Sequence, residues 1–494
     1  MTEIRKLVIV GGGTAGWMAA AAIARALGKV LDIELIESDA IGTVGVGEAT
    51  IPPIRNLHLL LDLDEADFLR EVNGTYKLGI EFQNWGHLGE RYFHPFAAHG
   101  TDTWAAQFHH YWVKARSQGE TGELDEFSYE AVLGREGRFG QNGDHKASYA
   151  YHFDAGKYAK LLRKFAERDG VKRIEGKVVD VAQQPESGYI RSVTLESGQV
   201  VDGDFFIDCS GFRGLLIEQA LETGWEDWGQ WLKSDRALAV QTESVVPPTP
   251  FTRATARSAG WQWRIPLQTR VGNGLVYSSD YLSDDQAKKT LFDNLDGKPI
   301  TDPRPIRFRT GRRLKQWNKN CLAIGLSSGF LEPLESTSIH LIQNSIIRFI
   351  KLFPSNGIDP AEVEQFNRDV RQEIEYIRDF IILHYHVTER TDSEYWIGCR
   401  EMSVPDSLTH KIELFQRTGK IFRDNNELFS EPSWIAVMAG QGLVPEGYHP
   451  FVDNLSEDEL KALMARVRAG ITQLVGQQPK HQDFLNQYCK ADAA

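Results

Sequence analysis

Near the start of the chain the hydrophobic positions run together rather than alternating. Leu7–Val10 is a short apolar block, a glycine turn follows, and an alanine-rich segment over about Thr14–Leu27 has helical spacing before a second apolar run at Ile33–Ile36. That order predicts a β-α-β unit. From about Gly42 to Phe96 glycine, proline and aromatic residues are mixed without a period, which predicts loops wrapped around a ligand. Tyr158–Arg168 has the apolar spacing of an amphipathic helix, and Lys172–Cys209 alternates like successive strands ending in Phe205-Phe206-Ile207. Beyond Ser338 the period becomes helical, over Ile339–Phe353, Pro360–Tyr385 and Glu457–Val475. The pattern predicts an α/β fold: a Rossmann-like cofactor region over residues 1–340 with inserted pocket segments, and a mainly helical region over 341–494 that covers the substrate. No repeat or low-complexity linker marks the boundary, so the two form one compact body.

Composition narrows the classes. A chain of 494 residues with 41% hydrophobic and 25% charged positions can bury a large core as an ordinary globular protein. The net charge of −13, without a Lys/Arg block, excludes the electrostatic footprint of a nucleic-acid binder. The apolar stretch Lys6–Val10 is far shorter than the ~20 residues of a membrane span, and no signal-peptide pattern follows the first residue. The four cysteines, Cys209, Cys321, Cys399 and Cys489, are scattered, with no CxxC pair and no histidine at zinc spacing. They predict reduced thiols, a cytoplasmic protein and no metal site.

Gly11-x-Gly13-x-x-Gly16 lies between the first strand and helix, with Thr14 and Ala15 opening the helix. Missing side chains there let main-chain N–H groups and the helix dipole approach a pyrophosphate. Glu37 ends the second strand about 20 residues later, where an acid accepts hydrogen bonds from a ribose. A tight turn made only for packing would not need strand, helix and acid together. FAD and NAD share this fingerprint. The segment Asp202-Gly203-Asp204 through Asp208-Cys209-Ser210-Gly211 resembles the second flavin-contacting motif of flavoprotein monooxygenases, which implies FAD, a monooxygenase-type fold and Asp208 at the cofactor. No second GxGxxG occurs in strand–helix context, so reduced flavin is expected from a separate flavin reductase.

Gly260-Trp261-Gln262-Trp263-Arg264-Ile265-Pro266 resembles the GWxWxIP signature of flavin-dependent halogenases. Gly47-Glu48-Ala49-Thr50-Ile51-Pro52, Tyr76-Lys77-Leu78-Gly79 and Phe330-Leu331-Glu332-Pro333-Leu334-Glu335-Ser336-Thr337 are similar to further blocks of the same family, the tryptophan halogenases and their relatives, in the family's order. The resemblance implies an enzyme that turns FADH2, oxygen and chloride or bromide into hypohalous acid and directs it onto an electron-rich aromatic ring. Lys77 stands where the family's lysine captures that oxidant, a role suited to a lysine in apolar surroundings, where the neutral, nucleophilic amine is favoured. Glu335 matches the glutamate that stabilises the cationic ring and assists its deprotonation. The bland alternatives are a surface lysine and a charge near a helix start, and Glu332 is a decoy three residues away.

By the same resemblance Ala49, Gly325 and Leu326 line the flavin, while the amides of Thr337 and Ser338 hold the halide at a helix N-terminus. The family generally has glycine where this chain has Ser338. Pro52, His94 and Phe96 would wall an aromatic substrate, although His94-Pro95-Phe96 also suits an ordinary core turn. Trp261 and Trp263, two apart, suit packing on one face of a strand, and the family assigns them to keeping the flavin from acting as a hydroxylase. The stretch Glu431-Pro432-Ser433-Trp434 lacks the tyrosine pair with which free-tryptophan halogenases hold the amino-acid end. A small aromatic such as indole, or an indole derivative, therefore fits better than tryptophan. A FAD-dependent aromatic hydroxylase and a non-catalytic flavin-binding protein are the competing classes, and a homodimer is left open.

Overall fold

The computed structural model describes residues 3–41, 47–119, 122–141 and 145–491. The chain divides into two compact units that alternate along the sequence: Met1–Gly74, Phe153–Gln230 and Arg307–Ile374 form the first, and Thr75–His152, Trp231–Ile306 and Glu375–Ala494 the second. The chain passes between the two units five times. Strands adjacent in a sheet need not be adjacent in sequence, and hydrophobic periodicity carries no record of which sheet a strand joins.

A six-stranded sheet forms the first unit's centre, in the order Trp317–Asn318, Cys321–Ala323, Phe205–Asp208, Lys6–Val10, Asp32–Glu37, Lys172–Glu175. All pairs but the Trp317–Asn318 edge are parallel. Val10 lies opposite both Asp208 and Ile36, and Asp208 opposite Ala323, so the carboxyl ends of four strands are level. The helix Thr14–Leu27 buries Ala19–Ala22 completely. Methyl-sized side chains let it lie close to its neighbours. The β-α-β unit and the helices Ala155–Arg168 and Ser338–Lys351 stand where the periodicity predicts.

One expectation needs correction. Within Gly42–Phe96, residues 42–46 lie outside the described set, but the rest is regular: the helices Ile54–Leu60 and Glu65–Glu71, and the strands Gly47–Ala49, Thr75–Lys77, Gly79–Gln83 and Arg91–Pro95. The segments are short, so too few positions repeat for a period to show. The described elements over 341–494 are helical as expected, and the second unit adds to its share of them a sheet built from earlier residues. A seven-stranded sheet ordered Arg304–Arg307, Arg236–Thr242, Val271–Tyr277, Gly260–Pro266, Thr252–Arg257, Gly79–Gln83, Arg91–Pro95 lies at its centre, antiparallel from Arg236–Thr242 to Arg91–Pro95 except where Thr252–Arg257 meets Gly79–Gln83. Helices Asp406–Thr418, Glu431–Gly440, Glu457–Gly476 and His481–Tyr488 supply the predicted helical part. No described helix is long and apolar enough to cross a membrane.

Candidate active site

In the first unit the glycines are fixed by close approach. A Cβ on Gly11, at φ +115°, would lie 2.2 Å from the Cys209 carbonyl oxygen, and one on Gly16 1.8 Å from the Gly11 carbonyl oxygen. Gly13 faces open space. It is also the N-cap of a 14-residue helix without any side-chain cap, so the first-turn amides remain available to an anion. Glu37 reaches over the turn: Trp17 Nε1 donates to it at 3.2 Å and Arg173 Nε at 2.6 Å. A carboxylate has about four acceptor sites, which leaves capacity for ribose hydroxyls. Gly325, at φ +74°, completes the cradle: its Cβ would sit 2.8 Å from the Ala15 Cβ. Thr14, Ala15, Gly325 and Leu326 are only half-buried, unlike the strands behind them. A cleared glycine face, uncapped helix amides and an acid at the second strand's end fit a dinucleotide such as FAD.

Asp208 belongs to this cluster but turns inward. It is fully buried, and its carboxylate accepts from the amides of Ser210 at 2.9 Å, Leu216 at 2.8 Å and Ile217 at 2.9 Å. Its main-chain oxygen accepts from Ile324 N and from Ser327 Oγ. The side chain expected at the cofactor therefore joins the strand end to the Leu215–Ala220 turn and anchors the Gly325–Ser327 turn.

The Glu335 segment also lies in this unit. Pro333–Glu335 makes a short 3-10 turn, Ser336 takes a left-handed conformation at φ 58°, and Thr337 caps the helix Ser338–Lys351 without a side-chain hydrogen bond. Left-handed backbone is strained for a serine, and its place between two buried side chains shows that the surroundings enforce it. Glu335 and Glu332 are each 1% exposed, so burial does not separate the candidate from its decoy. The helix start at Ser338 is as expected, and the amides of its first turn have no i−4 carbonyl to meet. Ala49 is buried and Pro52 half-buried; the adjoining Pro53 carbonyl accepts from Gln343 Nε2 at 2.9 Å, tying this segment to the same helix.

Lys77 lies in the second unit, fully buried, its Nζ 5.1 Å from the centre of the Phe96 ring. A cation over an aromatic face is an attractive pairing. The strand Thr75–Lys77 pairs with Ala150–Asp154, and histidines fix it. His152 bridges Thr75 and Thr252, with Nδ1 3.0 Å from Thr75 Oγ1 and Nε2 2.9 Å from Thr252 Oγ1. His481 Nε2 accepts from the Tyr76 amide at 3.3 Å, while its Nδ1 meets the Pro248 carbonyl at 2.8 Å. Burial, reinforced by the charge of Lys77, holds His152 well below the usual imidazole range, and burial pushes His481 down to about 4. Both are neutral. The Tyr76 ring stacks on Phe139 at 3.9 Å.

His94 is buried 5.7 Å from the Phe380 ring and 6.2 Å from Phe429, which themselves stack at 3.8 Å. Trp261 and Trp263 sit on a strand whose seven residues are all buried. Their rings are 6.1 Å apart, and a Cβ on Gly274 would lie 2.0 Å from the Trp263 ring. The packing reading of this pair thus matches their setting. His152, His481, Thr75, Phe380 and Phe429 were not legible as site residues. A lone His or Phe in an apolar stretch signals core, and only its partners across the fold distinguish it.

The parallel sheet and its glycine cradle define a dinucleotide-binding protein. A family model described as tryptophan halogenase matches residues 6–457. The chain is 49% identical to Xcc4156, a flavin-dependent halogenase from Xanthomonas campestris, over 100% of both chains with a TM-score of 0.98. It is 47% identical to BrvH, a flavin-dependent halogenase from Brevundimonas sp. BAL3, over 98% of this chain and 99% of that one with a TM-score of 0.94. With the tryptophan 7-halogenase RebH of Lentzea aerocolonigenes it shares 34% identity over 98% of this chain and 99% of that one. The chain belongs to the tryptophan halogenase family. It is a flavin-dependent halogenase that uses FAD, as FADH2 from a separate reductase, together with halide; the hydroxylase alternative is not favoured.

Proposed function

We propose that this halogenase acts on indole or a comparably small electron-rich aromatic, with Lys77 directing the oxidant and Glu335 assisting substitution. When bound, the reduced flavin supplies the two electrons and two protons that, with one further proton, convert O2 and a halide ion into hypohalous acid and water. The observation that carries the assignment is the burial of Lys77: a charge-capable group is placed beside an aromatic ring at 0% exposure, where water cannot compete for the oxidant. Lys77 Nζ hydrogen-bonds hypohalous acid and presents its halogen to the ring. Glu335 takes part in removing the ring proton and stabilises the cation that precedes its loss. The first-turn amides at Thr337 and Ser338 hold the halide. His94 and Phe96 supply rings to the substrate wall, and Pro52 has the substrate-contacting role that the family resemblance gives it. Ala49 and Leu326 join the cradle at the flavin. The four free thiols support placing the enzyme in the reducing cytoplasm.

Against free tryptophan as substrate, the Glu431 carboxylate is already held by Gln107 Nε2 at 2.7 Å and the Arg423 amide at 3.3 Å. Trp434 is buried against Phe380. A zwitterion would find no tyrosine pair in the Glu431–Trp434 stretch, and would share the Glu431 carboxylate with two donors already bound to it. Mass spectrometry of an incubation with FAD, a flavin reductase, NADH, bromide and indole tests the reading. A monobromo isotope doublet that vanishes without reductase is expected. Hydroxyindole, or turnover driven by NADPH without a reductase, would overturn it. Indole should have a specificity constant at least equal to that of tryptophan; a preference for tryptophan beyond ~100-fold would require a zwitterion contact.

A further inference from the structure

A three-residue strand such as Thr75–Lys77 has too few ladder bonds to fix its own position, so the aim of Lys77 depends on what holds Thr75. Thr75 and Lys77 share a face of the strand. The Thr75 hydroxyl donates its single proton to the Pro266 carbonyl at 2.7 Å, so toward His152 it can only accept. His152 Nδ1 therefore carries the hydrogen. Its neutral ring leaves Nε2 as the acceptor, and Thr252 donates to it. Every member of the chain Thr252, His152, Thr75, Pro266 has one fixed polarity. The imidazole connects the lysine strand to the start of Thr252–Arg257, and the Thr75 hydroxyl connects it to the end of Gly260–Pro266, the strand bearing Trp261 and Trp263.

We propose that His152 is a positioning residue for Lys77, acting through Thr75 to hold the amine where the oxidant is passed to the ring. The inference rests on the role assigned to Lys77. Two substitutions each keep half of the bridge: His152→Asn retains an N–H at the Nδ1 position for Thr75, and His152→Gln retains an acceptor at the Nε2 position for Thr252. The readout is halogenated product per FADH2 oxidised, taken beside FAD affinity and Tm. His152→Gln and Thr75→Val should each cut that yield 10-fold or more, with FADH2 oxidation and FAD affinity within twofold of the parent. His152→Asn should keep at least half, and Thr75→Ser should restore what Thr75→Val loses.

Equal falls in both His152 variants that track their loss of Tm, or full yield in His152→Gln, would overturn the inference. Thr75→Val decides the matter on its own should the His152 variants fail to fold. Lys77→Ala run alongside separates the levels. A Lys77→Ala protein that keeps its yield removes the lysine assignment itself, whereas an inactive Lys77→Ala beside a fully coupled His152→Gln removes only the role of His152.

Discussion

Three main-chain amides converge on the carboxylate of Asp208, which ties it to stability rather than to cofactor affinity. Asp208→Asn replaces one acceptor oxygen by a donor facing an amide and removes the charge. It should lower the unfolding free energy of the flavin-free protein by about 2–3 kcal/mol, measured by denaturant titration. A residue that only touched flavin would change FAD affinity and leave that titration unmoved. For Lys77 the expectation is the reverse. Lys77→Ala should lower product at least ~100-fold while stopped-flow reoxidation of bound FADH2 stays near normal, because the role proposed for the lysine follows formation of the oxidant. Glu335→Gln should lower turnover ~100-fold with intact flavin binding, and Glu332→Gln serves as the comparison. A fully active Lys77→Ala enzyme would remove Lys77 from the chemistry. At this scale motif context singled out Lys77, Glu335 and the glycines as candidates; the inward turn of Asp208 was not legible, since a motif names a residue and not where its carboxylate points.

Among the elements, the Lys77 strand shows what sequence leaves out. Its tyrosine amide meets a histidine from the helix His481–Tyr488, and nothing local to either segment signals the pairing. His481→Ala removes the acceptor for Tyr76 and the donor to Pro248. Two buried polar groups lose their partners, at about 1–3 kcal/mol each. The variant should melt earlier and also make less product per FADH2 consumed, while its FAD affinity holds. Equal losses of affinity and product yield would mean that His481 supports the fold only in a general way. The central antiparallel sheet escaped the hydrophobic pattern for a related reason: Gly260–Pro266 and Val271–Tyr277 are buried along their whole length, so neither shows a polar face. Gly274 in the second strand is the space that the Trp263 ring fills, a link visible only once the strands are paired. The β-α-β unit and the long helices were legible because their periods extend over enough residues to be distinctive.

Over the whole molecule, buried neutral imidazoles set the response to acid. Burial pushes His58 and His99 down to about 3 and His481 to about 4, and His152 lies well below its ordinary value. In the unfolded chain each takes up a proton near pH 6.5, so the unfolded state binds more protons as pH falls and stability is lost from about pH 6.5 down to about 4. Each can contribute up to ~1.4 kcal/mol per pH unit. Glu90 works the other way: burial pushes it up to about 7, so the folded state gains a proton first and recovers some stability between pH 7 and 4.5. The histidines outnumber it, so Tm should fall steeply between pH 6.5 and 5; a Tm that is flat or rising there would contradict the neutral assignments.

The bond between Tyr76 and His481 joins positions 405 residues apart, whereas the first unit draws on nothing beyond Ile374. Synthesis proceeds from one end and domains fold as their segments emerge. The flavin cradle is therefore complete in chemical terms while the partner of the lysine strand is still unmade. A chain stalled or cleaved between those two points keeps every segment of the first unit, those of the flavin cradle included, and lacks the histidine that meets and holds the Lys77 strand.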